Sequence, residues 1–198
     1  VLDVDLVTLD GAGGGSGYSP NKMMNEWGLP AICIESALPE ICARVEGLGL
    51  VVPDIAIAGG IASEDQVYKA LAIGSPWVKL VGLCRATMAA AMVGEKVGQL
   101  LESGTVPKHL ERYGGTKEAL FRHLPELRSI YGKEADRMSA GAIGAYSYLQ
   151  KTVFGLRHFA ALNRKFDVKY ISREDVIPMT RDAKEILNGT WFPSPHSL

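Results

Sequence analysis

The chain has 198 residues, 47% of them hydrophobic, and a formal net charge of −1. That is enough for one good-sized domain, or for one compact unit with an appendage. The near-neutral balance shows no basic face, which argues against a nucleic-acid partner. No apolar run approaches the roughly 18–20 residues of a membrane span, so no membrane role is expected. Cys33, Cys42 and Cys84 are odd in number and scattered. Such cysteines argue against a disulfide framework or a close-paired metal site, and for a reducing, cytoplasmic setting.

The first element is an apolar strand at Val4–Leu9, broken at Asp10-Gly11 by a loop with five glycines in seven residues. A buried parallel strand ending in such a loop needs unusual dihedrals, or room for something to come very close. The chain opens almost directly into this strand, which fits a piece that begins within a fold. Asn21–Trp27 has weak helical character and ends at Gly28-Leu29-Pro30. Pro39 is expected to split the next segment into a turn at Ala31–Glu35 and a helix starting near Pro39, closed by Gly47 and Gly49.

The second unit is a strand at Asp54–Ala58, a Gly59-Gly60 break, and a helix capped by Ser63 with Gln66 completing a capping box. Val67, Ala70 and Leu71 line one face, and Gly74 is expected as a left-handed C-terminal cap. The third unit is a strand at Trp77–Val81, a turn at Gly82-Leu83 and a helix over Arg85–Leu101. The small residues of that helix, with Gly94 and Gly98, read as close packing. Strands alternating with helices predict parallel strands whose glycine-ended tips converge on one face, the ligand side of α/β folds.

A phosphate needs several N–H donors within about 3 Å, which side chains obstruct and glycine loops supply. Gly59, Gly60, Gly82 and Leu83 therefore read as phosphate-binding residues of a cofactor site, near the positive end of the helix at Ser63. A dinucleotide fingerprint fits poorly, because no acid ends a second strand where the ribose needs one.

From Gly104 the pattern turns helical: Val106–Arg112, Lys117–Tyr131, Lys133–Met138 and about Ala142–Asn163. Thr116 and Ser139 are expected caps. The last helix carries Ile143, Tyr146, Leu149, Val153, Leu156, Phe159 and Ala160 as a core-facing stripe. Ser172 caps a short turn, and Thr180 caps Arg181–Leu187, ended by Gly189. The aromatic tail at Trp191-Phe192 reads as a loose end docked by its rings. The four histidines, His109, His123, His158 and His196, sit at no metal spacing and read as surface or satisfied imidazoles.

DGAGGGSGYSP at Asp10–Pro20, IAGGIASEDQVYKALAIGSPWV at Ile57–Val78, VGLCRATM at Val81–Met88 and YISREDVIPMTRDAKEI at Tyr170–Ile186 resemble the FMN-binding glutamate synthase family. The resemblance implies an α/β fold: the C-terminal portion of a (β/α)8 TIM barrel, about strands six to eight, over residues 1–103. An all-helical extension follows over residues 104–198. It implies FMN as cofactor, its phosphate gripped by Gly59, Gly60, Gly82 and Leu83, with Gly13, Gly14, Gly15 and Ser16 over the flavin and substrate side. The implied reaction passes electrons through FMN to reduce 2-iminoglutarate to glutamate, a small-molecule substrate, with an electron-donor protein and a homo-oligomer as possible partners.

Three departures stand out. The iron–sulfur cysteines after strand eight are missing, so no cluster is expected. Ala58 stands where an acid often precedes the diglycine, and strands one to five are absent. The chain is therefore expected to be the C-terminal part of a longer protein. Rival readings are another FMN barrel chemistry, such as an isopentenyl-diphosphate isomerase or an IMP-dehydrogenase-like enzyme, and a regulatory or assembly module without flavin. The dehydrogenase-like reading wants a cysteine at residues 11–20, and none is there. Asp10 is the only carboxylate placed for catalysis, a turn role being its alternative, so no catalytic residue is assigned.

Overall fold

Three short strands, β1 (Leu6–Asp10), β2 (Asp54–Ala58) and β3 (Val78–Val81), form a parallel sheet in the order β1-β2-β3. They belong to a computed structural model that describes residues 4–12, 19–22 and 26–189. The described chain groups into two compact units: residues up to Leu83 with those from Leu156 onward, and Cys84–Gly155. The sequence-based division after residue 103 separates strand-bearing from helical composition. The compact units instead group the third helix with the helices that follow it.

In the first unit α1 (Ala31–Gly47) joins β1 to β2, and α2 (Glu64–Ile73) joins β2 to β3. Side chains alternate across a strand, so Leu9, Ile55, Ile57 and Val78 share the helix side. There they pack with Leu38 and Cys42 of α1 and Ala70 of α2. The in-register partners Thr8 and Ala56, with Leu6 and Leu80, take the opposite face. On it Leu6 is 46% and Leu80 53% exposed, on a kind of sheet normally covered on both sides.

Two local expectations are corrected here. Pro39 does not start a helix; it lies inside α1, which runs unbroken from Ala31. Proline there removes one backbone donor and crowds the preceding turn. Ala31, Ile34, Leu38 and Cys42 form one inward stripe across the proline, and burial of that stripe outweighs the local cost. Gly74 is likewise no left-handed cap, since its φ is −82°. A Cβ there would stand 2.2 Å from Val78 Cγ2, so the position needs glycine for space rather than for φ.

The C-terminal part of this unit closes on α2 through a polar knot. Tyr68 is buried and its hydroxyl donates to Asp175 Oδ2 at 3.1 Å while accepting from Asn163 Nδ2 at 2.8 Å. Asp175 also accepts from Ser172 N at 2.9 Å and pairs with Lys165 at 3.3 Å. Desolvation works to raise the Asp175 pKa, but the Ser172 N–H, Lys165 and Tyr68 together hold it below the usual carboxylate range. Tyr68, Ala72, Ala160 and Ile171 form the apolar layer beside the knot. Tyr68→Phe leaves Asn163 and Asp175 each short of a partner, and a loss of about 1–2 kcal/mol is expected in urea denaturation. An unchanged midpoint would show that water replaces the hydroxyl at no cost.

The second unit holds α3 (Arg85–Glu102), α4 (Lys117–Leu120), α5 (Leu124–Tyr131) and the start of α6 (Ala140–Leu162). The helix expected over Val106–Arg112 is instead turns and a 3-10 segment at Glu111–Tyr113. Pro107 near its start and Gly114 with φ 113° at its end leave too short a stretch for a stable helix. Lys117–Tyr131 is two helices broken at Phe121–His123, because Phe121 turns into the core beside Leu124 and Leu127. Lys133–Met138 lies largely in a 3-10 turn, Gly132–Arg137.

The stripe expected along α6 is buried at its ends, at Ile143 and Ala160, but Leu149 is 41% and Val153 42% exposed. The two ends of α6 belong to different compact units, so each end is buried in its own core. His123, read from sequence as a surface or satisfied imidazole, has a buried Nδ1 without a partner and meets the Tyr146 ring edge-on at 6.1 Å. Among the described residues no helix is long and apolar enough to cross a membrane.

Candidate functional site

Parallel pairing brings the C-terminal tips of the three strands side by side. Asp10 is in register with Ala58, and Ile57 with Val81. The pairing continues past the strands: Gly11 N donates to Ala58 O and Gly82 N to Ile57 O, each at 2.8 Å. The glycines singled out from sequence, Gly59, Gly60 and Gly82, therefore do meet along one edge.

They are not equivalent. A Cβ on Gly59 would stand 2.7–2.8 Å from the Gly11 backbone, and the Gly59 φ is 108°, so the position needs glycine twice over. A Cβ on Gly82 would reach to 2.9 Å from the Ala58 methyl. These two glycines let the chain pack against itself. Gly60, with φ 75°, faces open space. Among the described residues the N–H groups of Gly59, Gly60 and Ile61 donate to no backbone acceptor, whereas that of Gly82 is already used.

The helix after this loop is capped as its sequence dictates. Gln66 Oε1 accepts from Ala62 N at 2.8 Å and Ser63 N at 3.2 Å. The Ser63 hydroxyl and the Lys69 ammonium pull the Asp65 carboxyl down to about 2. With Glu64 beside it, Asp65 already answers the positive end of α2. The donors left for an anion are thus the loop amides at Gly59–Ile61 rather than the first turn of the helix. Gly13, Gly14, Gly15 and Ser16 lie outside the described residues, as does the aromatic tail.

Sequence reading missed one charged group near this edge. Ala31, the first residue of α1, lies so close to Gly11 that a glycine Cβ would sit 2.6 Å from its nitrogen. One turn further along the helix, Glu35 is only 3% exposed, and its Oε1 has no hydrogen-bond partner. Burial pushes its pKa up to about 7. The signal was present: Glu35 precedes Leu38 by three residues and Cys42 by seven, a spacing that puts it beside the inward stripe. Among the described residues no cluster of His, Cys, Asp or Glu is arranged to hold a metal ion, and the three cysteines are free.

Residues 2–95 match the family model described as the conserved region in glutamate synthase. An archaeal-type glutamate synthase (NADPH) of Dehalococcoides mccartyi is 34% identical over 77 residues, covering 38% of this chain and 15% of the relative. The chain thus aligns with only a small part of that relative's length. No solved structure matches. The glycine-ended strands lie within the matched residues, and through residues 2–95 this chain is related to the glutamate synthase family.

Proposed function

We propose that the glycine edge is part of an FMN site, and that β1 to β3 with their helices are consecutive units of a (β/α)8 oxidoreductase barrel of the glutamate synthase kind. The observation that carries this reading is the row of in-register strand tips, Asp10 beside Ala58 and Gly82 bonded to Ile57, which ends in the Gly59–Ile61 amides. Parallel α/β sheets bind their ligands at this end of the strands. Family relationship, glycine geometry and donors without acceptors among the described residues all support it.

The residues present fit a phosphate at one place. The N–H groups of Gly59, Gly60 and Ile61 would hold it, and the open space at Gly60 lets its oxygens approach the backbone. Bound there, the flavin supplies electron transfer, in this family to 2-iminoglutarate. The chain's own work is positional. Gly59 fixes the loop against Gly11, the capping box fixes the start of α2, and the half-exposed Leu6 and Leu80 on the sheet's other face leave one side of the site to the remainder of a barrel. That remainder, in a longer polypeptide, would supply further ring and substrate contacts.

The test is an FMN titration followed by fluorescence quenching, on this chain and on the full-length polypeptide. Saturable binding with a flavin absorption band in the purified full-length protein is expected. A colourless protein that quenches no FMN fluorescence in either form overturns the flavoenzyme reading and favours the regulatory module.

A further inference from the structure

We infer that Asp10 is a ligand-positioning residue whose carboxylate accepts hydrogen bonds from the polyol hydroxyls of the phosphorylated flavin. The inference rests on the flavin reading above and adds a named contact to it.

The argument begins with the register. Asp10 closes β1, pairs with Ala58 at the end of β2, and lies one strand from Gly82 beyond β3. Leu9 and Ile57 point to the helices, so alternation sends Asp10 and Ala58 to the opposite face, where Leu6 and Leu80 are half-exposed. The Cβ direction of Gly82 lies on that same face, since it would meet the Ala58 methyl. Across the three strand tips the row reads carboxylate, methyl, hydrogen. Strands about 4.8 Å apart make this a shelf about 10 Å wide, with a charged wall at one end.

Asp10 is exposed, and among the described residues its carboxylate makes no hydrogen bond or ion pair. A carboxylate is acceptor-only when ionised, so it suits a donor-rich ligand group such as neighbouring hydroxyls. It repels phosphate, so the phosphate belongs beyond Ala58, at the Gly59–Ile61 amides. A ligand with a phosphate at one end and hydroxyls behind it meets both requirements in the order the chain presents them.

The experiment measures binding of FMN, riboflavin and lumiflavin to the full-length polypeptide and to its Asp10→Asn and Asp10→Ala variants. Lumiflavin keeps the ring but has neither polyol nor phosphate. Circular dichroism melts check that each variant folds, and the near-isosteric asparagine guards against loss of the turn. Asp10→Ala is expected to weaken FMN and riboflavin by the same factor, on the order of ten- to a hundredfold for hydrogen bonds to a charged group. Lumiflavin affinity should not change. An equal loss for all three flavins would place Asp10 at the ring or in the fold and overturn the inference. So would variants that bind FMN as the parent does, with the flavin reading left standing. A parent protein that binds none of the three overturns both.

Discussion

Replacing Gly144 by valine is expected to destabilise the second unit by about 3 kcal/mol or more, seen as an early transition in urea. α3 and α6 touch there almost backbone to backbone. A Cβ on Gly144 would stand 2.7 Å from Ala90 O, and one on Gly94 2.7 Å from Ala140 O. Two effects oppose each other at such a site. Glycine inside a helix costs about 1 kcal/mol relative to alanine, so removing it gains helix propensity. Against that, the added carbon meets carbonyl oxygens of the neighbouring helix, which cannot turn aside as a side chain tip does. Overpacking costs about 1–3 kcal/mol and more when the backbone must shift, so the steric term wins. Valine adds two methyls to the same clash. Gly47→Ala is the control, because nothing lies within 4 Å of its Cβ position at the end of α1. That change should be neutral or slightly stabilising. Equal effects at Gly47 and Gly144 would remove the crossing from the explanation.

Glu35→Gln is expected to stabilise the protein at pH 8 and to do little at pH 4.5. Burial raises the Glu35 pKa from 4.5 to about 7. Between those values the folded chain holds a proton that the unfolded chain has released. The neutral acid's contribution is therefore complete below pH 4.5 and is lost as pH rises through 7. Above that range the folded state must carry a buried charge at a cost of about 3 kcal/mol. Glutamine keeps the shape without the charge. Urea denaturation of both proteins at the two pH values reads the difference directly. A stabilisation of the same size at both would mean that packing, not ionisation, separates them.

These two sites show what the sequence made legible. The small residues of α3 announced close packing, but their partners, Ala140, Gly141 and Gly144, are about fifty residues away and carry no local mark. Caps were the most readable feature. Ser63 with Gln66 forms its box, Thr116 accepts from Ala119 N, Ser139 from Ala142 N and Thr180 from Ala183 N. A cap is satisfied within four residues, so its whole physics lies in the local sequence. Pro39 misled because its cost is local whereas its compensation, the burial of Leu38 and Cys42 on the sheet, is tertiary. The segment from Gly104 to Arg137 misled for the opposite reason. Its residues favour helix, but glycine, proline and an inward Phe121 leave each piece too short to propagate.

The candidate site was legible as residue type and order, not as division of labour. Gly59, Gly60 and Gly82 read alike in sequence. Only the register separates two glycines that let the chain pack on itself from one that faces open space. Asp10 was visible as the carboxylate at the mouth of β1, but nothing local says that Ala58 is its neighbour.

That register also orders assembly in time. Leu6 pairs with Asp54 across 54 − 6 = 48 positions, whereas Ile55 pairs with Val78 across 78 − 55 = 23. Doubling a loop adds only about 0.6 kcal/mol of closure entropy, but pairing at long range also slows the search. The βαβ unit β2-α2-β3, with its self-capped helix, is the piece equipped to condense first, and β1 joins as a late strand at an edge. In native-state hydrogen exchange the amides of β1 should accordingly open at lower free energy than those of β2. The strand tip that bears Asp10 is then the last part of the glycine edge to form and the first to let go.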